Sequence, residues 1–304
     1  MRRSKPLAAV AIAAIGMTLG VATTSASEGG QPDSEFFVRA DYERQLAQRD
    51  IAPEGDESTP WLQAIEPEWV DTSAYASEGG DKVLCFSNAS ISNPWRVTGW
   101  ITMQQQVEVL EEAGVIAEFR VADAADDDNK QIADIQKFVD DGDCDALIVS
   151  PSTTATLTPA VEQACESGLP VIVFDRGVNT DCMVTFIHPI GGYAYGASGA
   201  EFLVDNLEPG STVLALRILP GVDVLENRWG AAQEIFGAAD IEVLGNEFTG
   251  GDGAQIKDIV TQYLQRGDVD GIWMDAGDGS VAALEAFEDA GADYPVMVGE
   301  EEMS

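Results

Sequence analysis

The chain has 304 residues, enough for about two domains with a sizeable core, and it carries 16 basic against 53 acidic side chains. The net charge of −37 repels nucleic acids and anionic membrane surfaces, so DNA and RNA are excluded as partners. This composition suits a protein that stays soluble in a salty medium, but an ordinary acidic secreted protein has the same features.

The first 26 residues have the pattern of a secretory signal peptide. A basic start that ends at Lys5 is followed by an apolar stretch over 7–21 and by small residues at 24–26. The apolar stretch is shorter than the roughly 20 residues that a membrane span needs, which favours cleavage near Ala26 over an uncleaved anchor. We therefore expect an exported protein, located in the periplasm, the cell envelope or the medium, where disulfides can form.

Residues 27–80 are rich in Glu, Asp, Ser, Gly and Pro, which is typical of an acidic linker or extension. One amphipathic helix is predicted in this segment, from Ser34 to Gln48. The segment also carries Trp61, Trp69 and Tyr75. These aromatic side chains either dock on the globular body or belong to a disordered tether.

From Lys82 onward, short apolar runs alternate with helical segments, which predicts an α/β fold with parallel sheets. Strands are predicted at 82–87, 115–121, 145–149, 170–174, 183–187, 211–217, 241–247, 271–275 and 295–298. Helices are predicted at 95–113, 128–141, 157–167, 191–206, 224–238, 253–266 and 279–290. Nine strands exceed one small sheet, so we expect two doubly wound lobes joined by a hinge.

The boundary between the lobes is predicted near residues 186–189, because one strand follows another there without a helix. This gives a first lobe over 81–187 and a second lobe over 188–304. The only histidine, His188, falls in the hinge. A catalytic base is the alternative for His188, but no nucleophile or metal ligand accompanies it in the sequence.

The four cysteines leave the disulfide pairing open, because sequence alone does not fix connectivity. Cys144 begins a predicted strand and Cys165 ends the helix that follows, so both return to the same end of the sheet. A Cys144–Cys165 bridge is therefore favoured, with Cys165–Cys182 as the alternative. Cys85, inside the first strand, is expected to be a buried thiol.

Polar side chains follow the carboxyl ends of the predicted strands in both lobes. Ligands of open α/β sheets bind at this end, where helix N-termini point N–H groups into a crevice. Aromatic faces, carboxylates and arginines together suit a sugar, because rings cover its C–H face and charged planar groups pair with hydroxyls. The candidate ligand-binding residues are Ser87, Asn93, Trp95, Arg96, Ser150, Asp175, Arg176, Arg228, Asp275 and Glu301.

Enzyme signatures are missing from the sequence. There is no G-x-S-x-G, H-E-x-x-H or G-x-x-x-x-G-K-[ST] pattern, so no catalytic residue, metal or cofactor is predicted. The glycine cluster at 250–253 lacks the lysine of a phosphate loop and is interpreted as a helix start with Asp252 near the cap. A plain surface ion pair is the alternative for Asp175 and Arg176, and a core position is the alternative for Trp273.

Over about residues 82–301 the chain resembles the periplasmic sugar-binding proteins of the ribose and galactose type, the substrate-binding components of ABC importers. The turn at 93–96 is similar to that family's Asn-Pro-aromatic-aromatic turn, with Arg96 in place of the second ring. The run 147–151 resembles the third-strand motif, and Asp175-Arg176 matches the pair that grips sugar hydroxyls. Arg228 falls on the family's arginine at the start of the first helix of the second lobe.

Two departures from the family pattern leave the sugar open. Asp275-Ala276-Gly277 stands where ribose-binding proteins have Gln-Asn-Asp, and Gly299-Glu300-Glu301 stands where they have Gly-Phe-Asp. Family members also continue past this point, so the last elements of the first lobe are expected to be missing.

The resemblance implies a type I periplasmic binding protein fold. It further implies a monomeric solute-binding protein, not an enzyme, that closes its lobes on a sugar and delivers it to an ABC permease. A ligand-sensing subunit for a membrane receptor is the alternative, and a secreted glycoside-acting enzyme is a less favoured one. The enzyme is less favoured because Arg176 and Arg228 would keep nearby carboxylates ionised.

Overall fold

The computed structural model describes residues 34–60, 63–66, 70–187, 191–277 and 279–299, without the side chain of Pro94. Several predictions fall outside these residues, namely the signal peptide, Trp61, Trp69, His188 and Glu301. Within the described ranges, no helix combines the length and the apolar character that a membrane span requires.

The first lobe contains a five-stranded parallel sheet. In chain order its elements are β1 (Val83–Asn88), α2 (Pro94–Glu112), β2 (Glu118–Asp123), α3 (Asp128–Asp141), β3 (Ala146–Ser150), α4 (Thr154–Glu166), β4 (Val171–Phe174) and β5 (Thr185–Ile187). The strand order across the sheet is β2-β1-β3-β4-β5. This lobe is preceded by a helix, α1 (Arg39–Gln48), and by a short 3-10 turn at Ser73–Tyr75.

The second lobe contains a four-stranded parallel sheet. Its elements are α5 (Tyr193–Asn206), β6 (Thr212–Arg217), α6 (Asp223–Ala238), β7 (Glu242–Phe248), α7 (Gly253–Leu264), β8 (Gly271–Met274), α8 (Ser280–Ala290) and β9 (Val296–Val298). The strand order is β7-β6-β8-β9. The predicted α/β class and alternation of elements are confirmed, and the bounds differ by a few residues. In both sheets the first strand lies inside the sheet, so the connections run to both sides of it.

Alternate apolar side chains of each sheet pack against helices and hold the sheet in place. In the first lobe, Leu147, Val149, Val171 and Val173 face α3 and α4 and are fully buried. Burying one such side chain stabilises the fold by about 1.5–3 kcal/mol. On the opposite face, beside α2, Leu84, Ile148 and Ile172 are only half-buried.

The second sheet is packed on both faces. Leu214, Leu216 and Ile272 pack under α7 and α8. On the other face Trp273 packs against Trp229, with ring centroids 5.4 Å apart. Trp273 is therefore a core residue, which is the alternative considered for it from the sequence.

The cysteines form two disulfides, both in the first lobe. Cys85 bonds Cys144, and Cys165 bonds Cys182. The favoured Cys144–Cys165 bridge and the buried thiol at Cys85 are wrong, whereas the alternative Cys165–Cys182 bridge is confirmed. The reason is strand register, because β1 and β3 are parallel neighbours and Cys85 lies opposite Leu147. Cys144, just before β3, is thereby brought to a Cα–Cα distance of 5.8 Å from Cys85.

The segment around α1 packs on the second lobe, although the chain enters the first lobe afterwards. Phe37 is 1% exposed, and its ring meets the ring of Tyr193 edge to face at 5.5 Å. The Tyr193 hydroxyl accepts a hydrogen bond from Val38 N and donates one to Phe36 O. Gly230 makes room for the Phe37 ring, since a Cβ there would lie 2.7 Å from a ring carbon.

Two ion pairs add to the contact between α1 and the second lobe. Arg39 pairs with Glu234 at 2.8 Å, and Arg49 pairs with Glu201 at 2.7 Å. The predicted helix from Ser34 begins only at Arg39, because residues 34–37 form a turn closed by hydrogen bonds between Ser34 and Phe37, and Val38 is extended. At this point the extension is a packed part of the fold, not a free tether.

Candidate functional site

A cavity of about 360 Å³ lies between the two lobes, at the carboxyl ends of the strands, and this volume is within the usual range for small-molecule sites. The first lobe contributes polar side chains to its wall, and the second lobe contributes mainly glycines and apolar residues. The lining residues are Ser90, Ser92, Asn93, Arg96, Asp126, Arg176, Ile218, Leu219, Gly250, Gly251 and Gly279.

The turn after β1 positions the first two contacts. Asn93 caps α2, with its side-chain oxygen accepting a hydrogen bond from Arg96 N at 2.9 Å. Pro94 follows at the first helical position, where its fixed φ and missing N–H cost nothing. This local geometry directs Arg96 towards the cleft, beside Asp175 at the end of β4.

Arg96 forms a buried ion pair with Asp175. Arg96 Nη2 lies 2.7 Å from Asp175 Oδ2, and both side chains are almost fully buried. A second nitrogen, Nη1, is 3.4 Å from Ser150 Oγ. Asp175 itself adopts a left-handed backbone conformation with φ of 71°. Asp tolerates this conformation better than most residues, and such local strain is often found at functional sites.

Arg176 points its guanidinium into the same region but has different partners. Its Nη1 donates a hydrogen bond to Ser152 O, and the residue is 8% exposed. No carboxylate oxygen of the described residues lies within 4.0 Å of an Arg176 guanidinium nitrogen, which is the limit for an ion pair. Burial, together with repulsion from Arg96, lowers the pKa of Arg176 to about 10, so the side chain stays charged at neutral pH.

Gln131, which is not among the candidate residues from the sequence, holds the ends of β1 and β3 together. Its Nε2 donates to Ser87 Oγ at 3.2 Å and to Ser150 O at 2.8 Å, and its Oε1 accepts from Ser152 N at 2.8 Å. Ser87 is fully buried and does not line the cavity. The only clue in the sequence was the position of Gln131 in the first turn of a helix that follows a strand.

Trp95 is not among the residues that line this cavity. Its ring stacks on that of Phe174, with centroids 6.3 Å apart, and it lines a separate small pocket with Phe86 and Trp100. Asn93 begins the helix in a register that turns Trp95 onto Phe174 and Arg96 towards Asp175. The two pockets share Arg96, so contact of Trp95 with a sugar stays a prediction.

The second lobe keeps its charged residues behind the cavity wall. Arg228 is fully buried, with Nε donating to Gly191 O at 2.8 Å and Nη1 donating to Asp275 O. Asp275 is also fully buried, and its Oδ1 accepts from Ile218 N at 2.9 Å. Neither residue lines the cavity, so each shapes the loops that do.

Asp275 shares its buried position with Arg217, a residue that sequence reasoning missed. Arg217 Nε lies 3.5 Å from Asp275 Oδ2, and its Nη2 lies 2.8 Å from Glu226 Oε2. These atoms are close, but Arg217 Nε, Arg217 Nη2 and Asp275 Oδ2 lack hydrogen-bond geometry. Burial raises the pKa of Asp275 to about 7, although the positive charge of Arg217 lowers it.

Backbone forms most of the second-lobe wall. Gly250 and Gly251 adopt left-handed φ values of 61° and 72°, just before Asp252. The Asp252 side chain accepts from Gln255 N at 2.8 Å, so the predicted helix cap is confirmed. Gly279 begins α8 without a side-chain cap.

The two lobes touch beside the cavity. Gly177 N, just after Arg176, donates to both carboxylate oxygens of Asp223 at 3.1 Å. In the reverse direction, Asp223 N donates to Thr154 Oγ1 at 3.1 Å. A Cβ at Gly177 would lie 2.4 Å from Asp223 Oδ2, so only glycine allows this approach. These hydrogen bonds join the two lobes at one side of the cavity.

Two parallel α/β sheets whose carboxyl ends enclose one cleft define a two-lobed type I periplasmic binding protein fold. In agreement with this fold, residues 84–301 match the family model described as "Periplasmic binding protein domain". The chain belongs to the periplasmic binding protein family, and its resemblance to the ribose and galactose type is confirmed. Members of this family are exported solute-binding proteins rather than enzymes.

Individual relatives are distant. The chain is 24% identical over 236 residues to the ribose import binding protein of Bacillus subtilis (strain 168), covering 76% of this chain and 73% of the relative. Among solved structures, an ABC transporter solute binding protein from Bacillus halodurans C-125 with bound myo-inositol has a TM-score of 0.66 and 20% identity, covering 74% of this chain and 77% of that one. The fructose binding periplasmic domain of a hybrid two component system has a TM-score of 0.62 and 24% identity, covering 73% of each chain.

Proposed function

We propose that the protein captures a sugar or sugar-like solute between its two lobes and delivers it to the permease of an ABC importer. The observation that carries the proposal is the cavity of about 360 Å³ between the lobes, at the carboxyl ends of both sheets. Its hydroxyl, amide and guanidinium groups are suited to solute oxygens. The names of the similar proteins, a ribose import binding protein and a solute binding protein with myo-inositol, support a polyhydroxylated solute.

The candidate residues take different parts in this proposal. Asn93, Arg96 and Arg176 contact the solute, because they line the cavity. Ser150 and Asp175 hold the Arg96 guanidinium in place. Arg228 and Asp275 shape the second-lobe wall, whereas Glu301 stays a candidate contact from sequence alone.

Binding drives closure in this proposal. Only the closed form offers the solute contacts from both lobes, so the solute shifts the population towards that form. The hinge lies near His188, between lobes at 81–187 and 188–304. The mature protein begins after cleavage near Ala26 and acts as a monomer.

A thermal-shift screen of the mature protein tests the proposal, using pentoses, hexoses, polyols and amino acids. A solute that binds only the folded form raises the melting temperature. A solute that raises the melting temperature is then titrated calorimetrically into two variants. Asp126→Asn alters an acceptor at the cavity, and Asp258→Asn is an exposed control. Weaker binding in the first variant alone supports the proposal. A shift with amino acids and none with sugars or polyols contradicts it.

A second candidate function is ligand sensing for a membrane receptor, without transport. It is favoured by the similarity to a fructose binding periplasmic domain of a hybrid two component system. Neighbouring genes for a permease and an ATPase would favour import, whereas a neighbouring gene for a membrane kinase would favour sensing. Uptake of the labelled solute in a strain with and without this gene decides between the two functions.

A further inference from the structure

We propose that the solute is an acid, specifically a sugar carrying a carboxylate such as a uronate or an aldonate. Its carboxylate occupies the space between Arg176 and the glycine-lined wall of the second lobe. The inference rests on the proposed function, because it names the substrate class of the same site.

Arg176 is the first observation that points to an anion. The residue is more than nine-tenths buried, and its guanidinium lines the cavity. Its one hydrogen bond within the described residues goes to a neutral carbonyl, Ser152 O. A buried cation without a counterion is unfavourable, and the cost is removed when an anion binds beside it.

Other buried arginines show what Arg176 lacks. Arg96 has Asp175 at 2.7 Å, and Arg217 has Glu226 at 2.8 Å. The carboxylates of Asp175, Asp126 and Asp223 raise the pKa of Arg176, but none of them forms an ion pair with it. The fold thus gives each of these two arginines a carboxylate partner. At Arg176 the corresponding space is the cavity.

The opposite wall is the second observation, and it is independent of Arg176. Gly250, Gly251 and Gly279 bring backbone to the cavity with no side chain in the way. Gly279 begins α8, an 11-residue helix whose first turn has no acidic residue. The positive end of such a helix favours an anion.

The remainder of the cavity suits the hydroxyl groups of the same molecule. Ser92 donates to Asp126 Oδ2 at 3.2 Å, and Ser90 lies 3.0 Å from Ser92. Asp126 is exposed at the rim, so its charge is screened by water and ions. Hydroxyl groups at the rim and a carboxylate at Arg176 give the solute one orientation in the cleft.

The test compares acids with their neutral counterparts. The mature protein is titrated calorimetrically with galacturonate and galactose, glucuronate and glucose, and gluconate and glucitol, alongside the remaining panel of neutral sugars. We expect at least one acid to bind at least tenfold more tightly than its neutral counterpart. If a neutral sugar binds as tightly as every acid or more tightly, the inference is overturned while the proposed function stands. If no sugar, neutral or acidic, binds, both fail.

Two substitutions show whether Arg176 sets the preference. In Arg176→Gln the acid should lose at least tenfold in affinity and its neutral counterpart much less, so the ratio between them falls. Arg176→Lys keeps the charge and should keep part of the ratio, whether or not the Gln variant folds. Arg266→Gln, at an exposed arginine, is the matched control and should change neither. An unchanged ratio in folded Arg176→Gln, or a ratio lost equally in Arg176→Lys, overturns the inference.

Discussion

The two walls of the cleft are built from different parts of the chain. The first lobe lines the cavity with side chains, among them Arg96 and Arg176, whereas the second lobe lines it largely with backbone and small apolar groups. The second lobe has buried charges too, but it keeps Arg217, Arg228 and Asp275 behind its wall. The first lobe therefore selects the chemistry of the solute, and the second lobe sets the shape into which the solute must fit on closure.

The largest expected effect comes from removing a charge on the first-lobe side. Asp175→Asn leaves Arg96 buried without its charged partner, and breaking such a pair costs about 3–5 kcal/mol. We expect a loss of that size in the free energy of unfolding, measured by urea denaturation. The corresponding change behind the other wall, Asp275→Asn, should cost far less, because a carboxyl with a pKa of about 7 is already partly protonated near neutral pH. Equal losses in the two variants would contradict the contrast between the walls.

The pH dependence of stability should come from the second lobe. The pKa of Asp275 is about 7 in the folded protein and 3.8 without burial, so between these values the folded state holds a proton that the unfolded state has released. The contribution of Asp275 to the free energy of unfolding is therefore fully present below pH 4 and is lost as the pH rises through 7. Between pH 5 and pH 8 the expected loss in the free energy of unfolding is about 3 kcal/mol. Urea denaturation at several pH values should show this fall in the free energy of unfolding for the wild type. For Asp275→Asn the free energy of unfolding should change less with pH.

A smaller effect is expected where the two walls meet. Asp223→Ala removes the acceptor for Gly177 N, a contact that joins the two lobes. Loss of one such hydrogen bond costs about 1–2 kcal/mol, so solute affinity should fall about five- to thirtyfold. The stability of the solute-free protein should change little. Gly177→Ala pushes against the same carboxylate and should act in the same direction, and an unchanged affinity in both variants would remove this contact from the closure mechanism.

The smallest expected effect is on the rate at which an acidic solute associates with the protein. It distinguishes attraction by the arginines of the first-lobe wall from repulsion by the net charge of the whole protein. A net charge of −37 repels an anion at a distance, although Arg176 attracts it nearby. Added salt screens the distant repulsion first, so the association rate of an acid should rise about two- to fivefold between low and moderate salt. A neutral counterpart measured by the same stopped-flow method should show no such rise.

The order of strands and helices could be predicted from sequence because it depends on local patterns. Apolar runs bounded by polar and glycine residues mark strands, and the carboxyl-end rule places Arg96 and Arg176 at the cleft. Partners distant in sequence could not be predicted in the same way. The Arg96–Asp175 pair spans 79 residues and depends on which strands become neighbours. The Cys85–Cys144 bridge depends on the same register.

Side-chain direction was the second limit of sequence reasoning. Trp95 and Arg96 are adjacent, yet one packs under β4 and the other reaches the cleft, because consecutive residues of a helix point about 100° apart. Arg228 and Asp275 were placed correctly at strand ends and helix starts, but the sequence does not reveal that both are turned inward. The wall formed by Gly250, Gly251 and Gly279 carries no side chain that a motif could show.

The packing of α1 on the second lobe has a consequence for a cleaved chain. A protease cut between β5 and α5 would produce two fragments, and no disulfide would join them, since both bridges lie in the first lobe. The earlier fragment nevertheless carries Phe37 and Arg39, which are seated on the later fragment. The nicked molecule should run as two bands on a denaturing gel and as one particle in gel filtration, and the separated halves are natural candidates for a split-protein reporter.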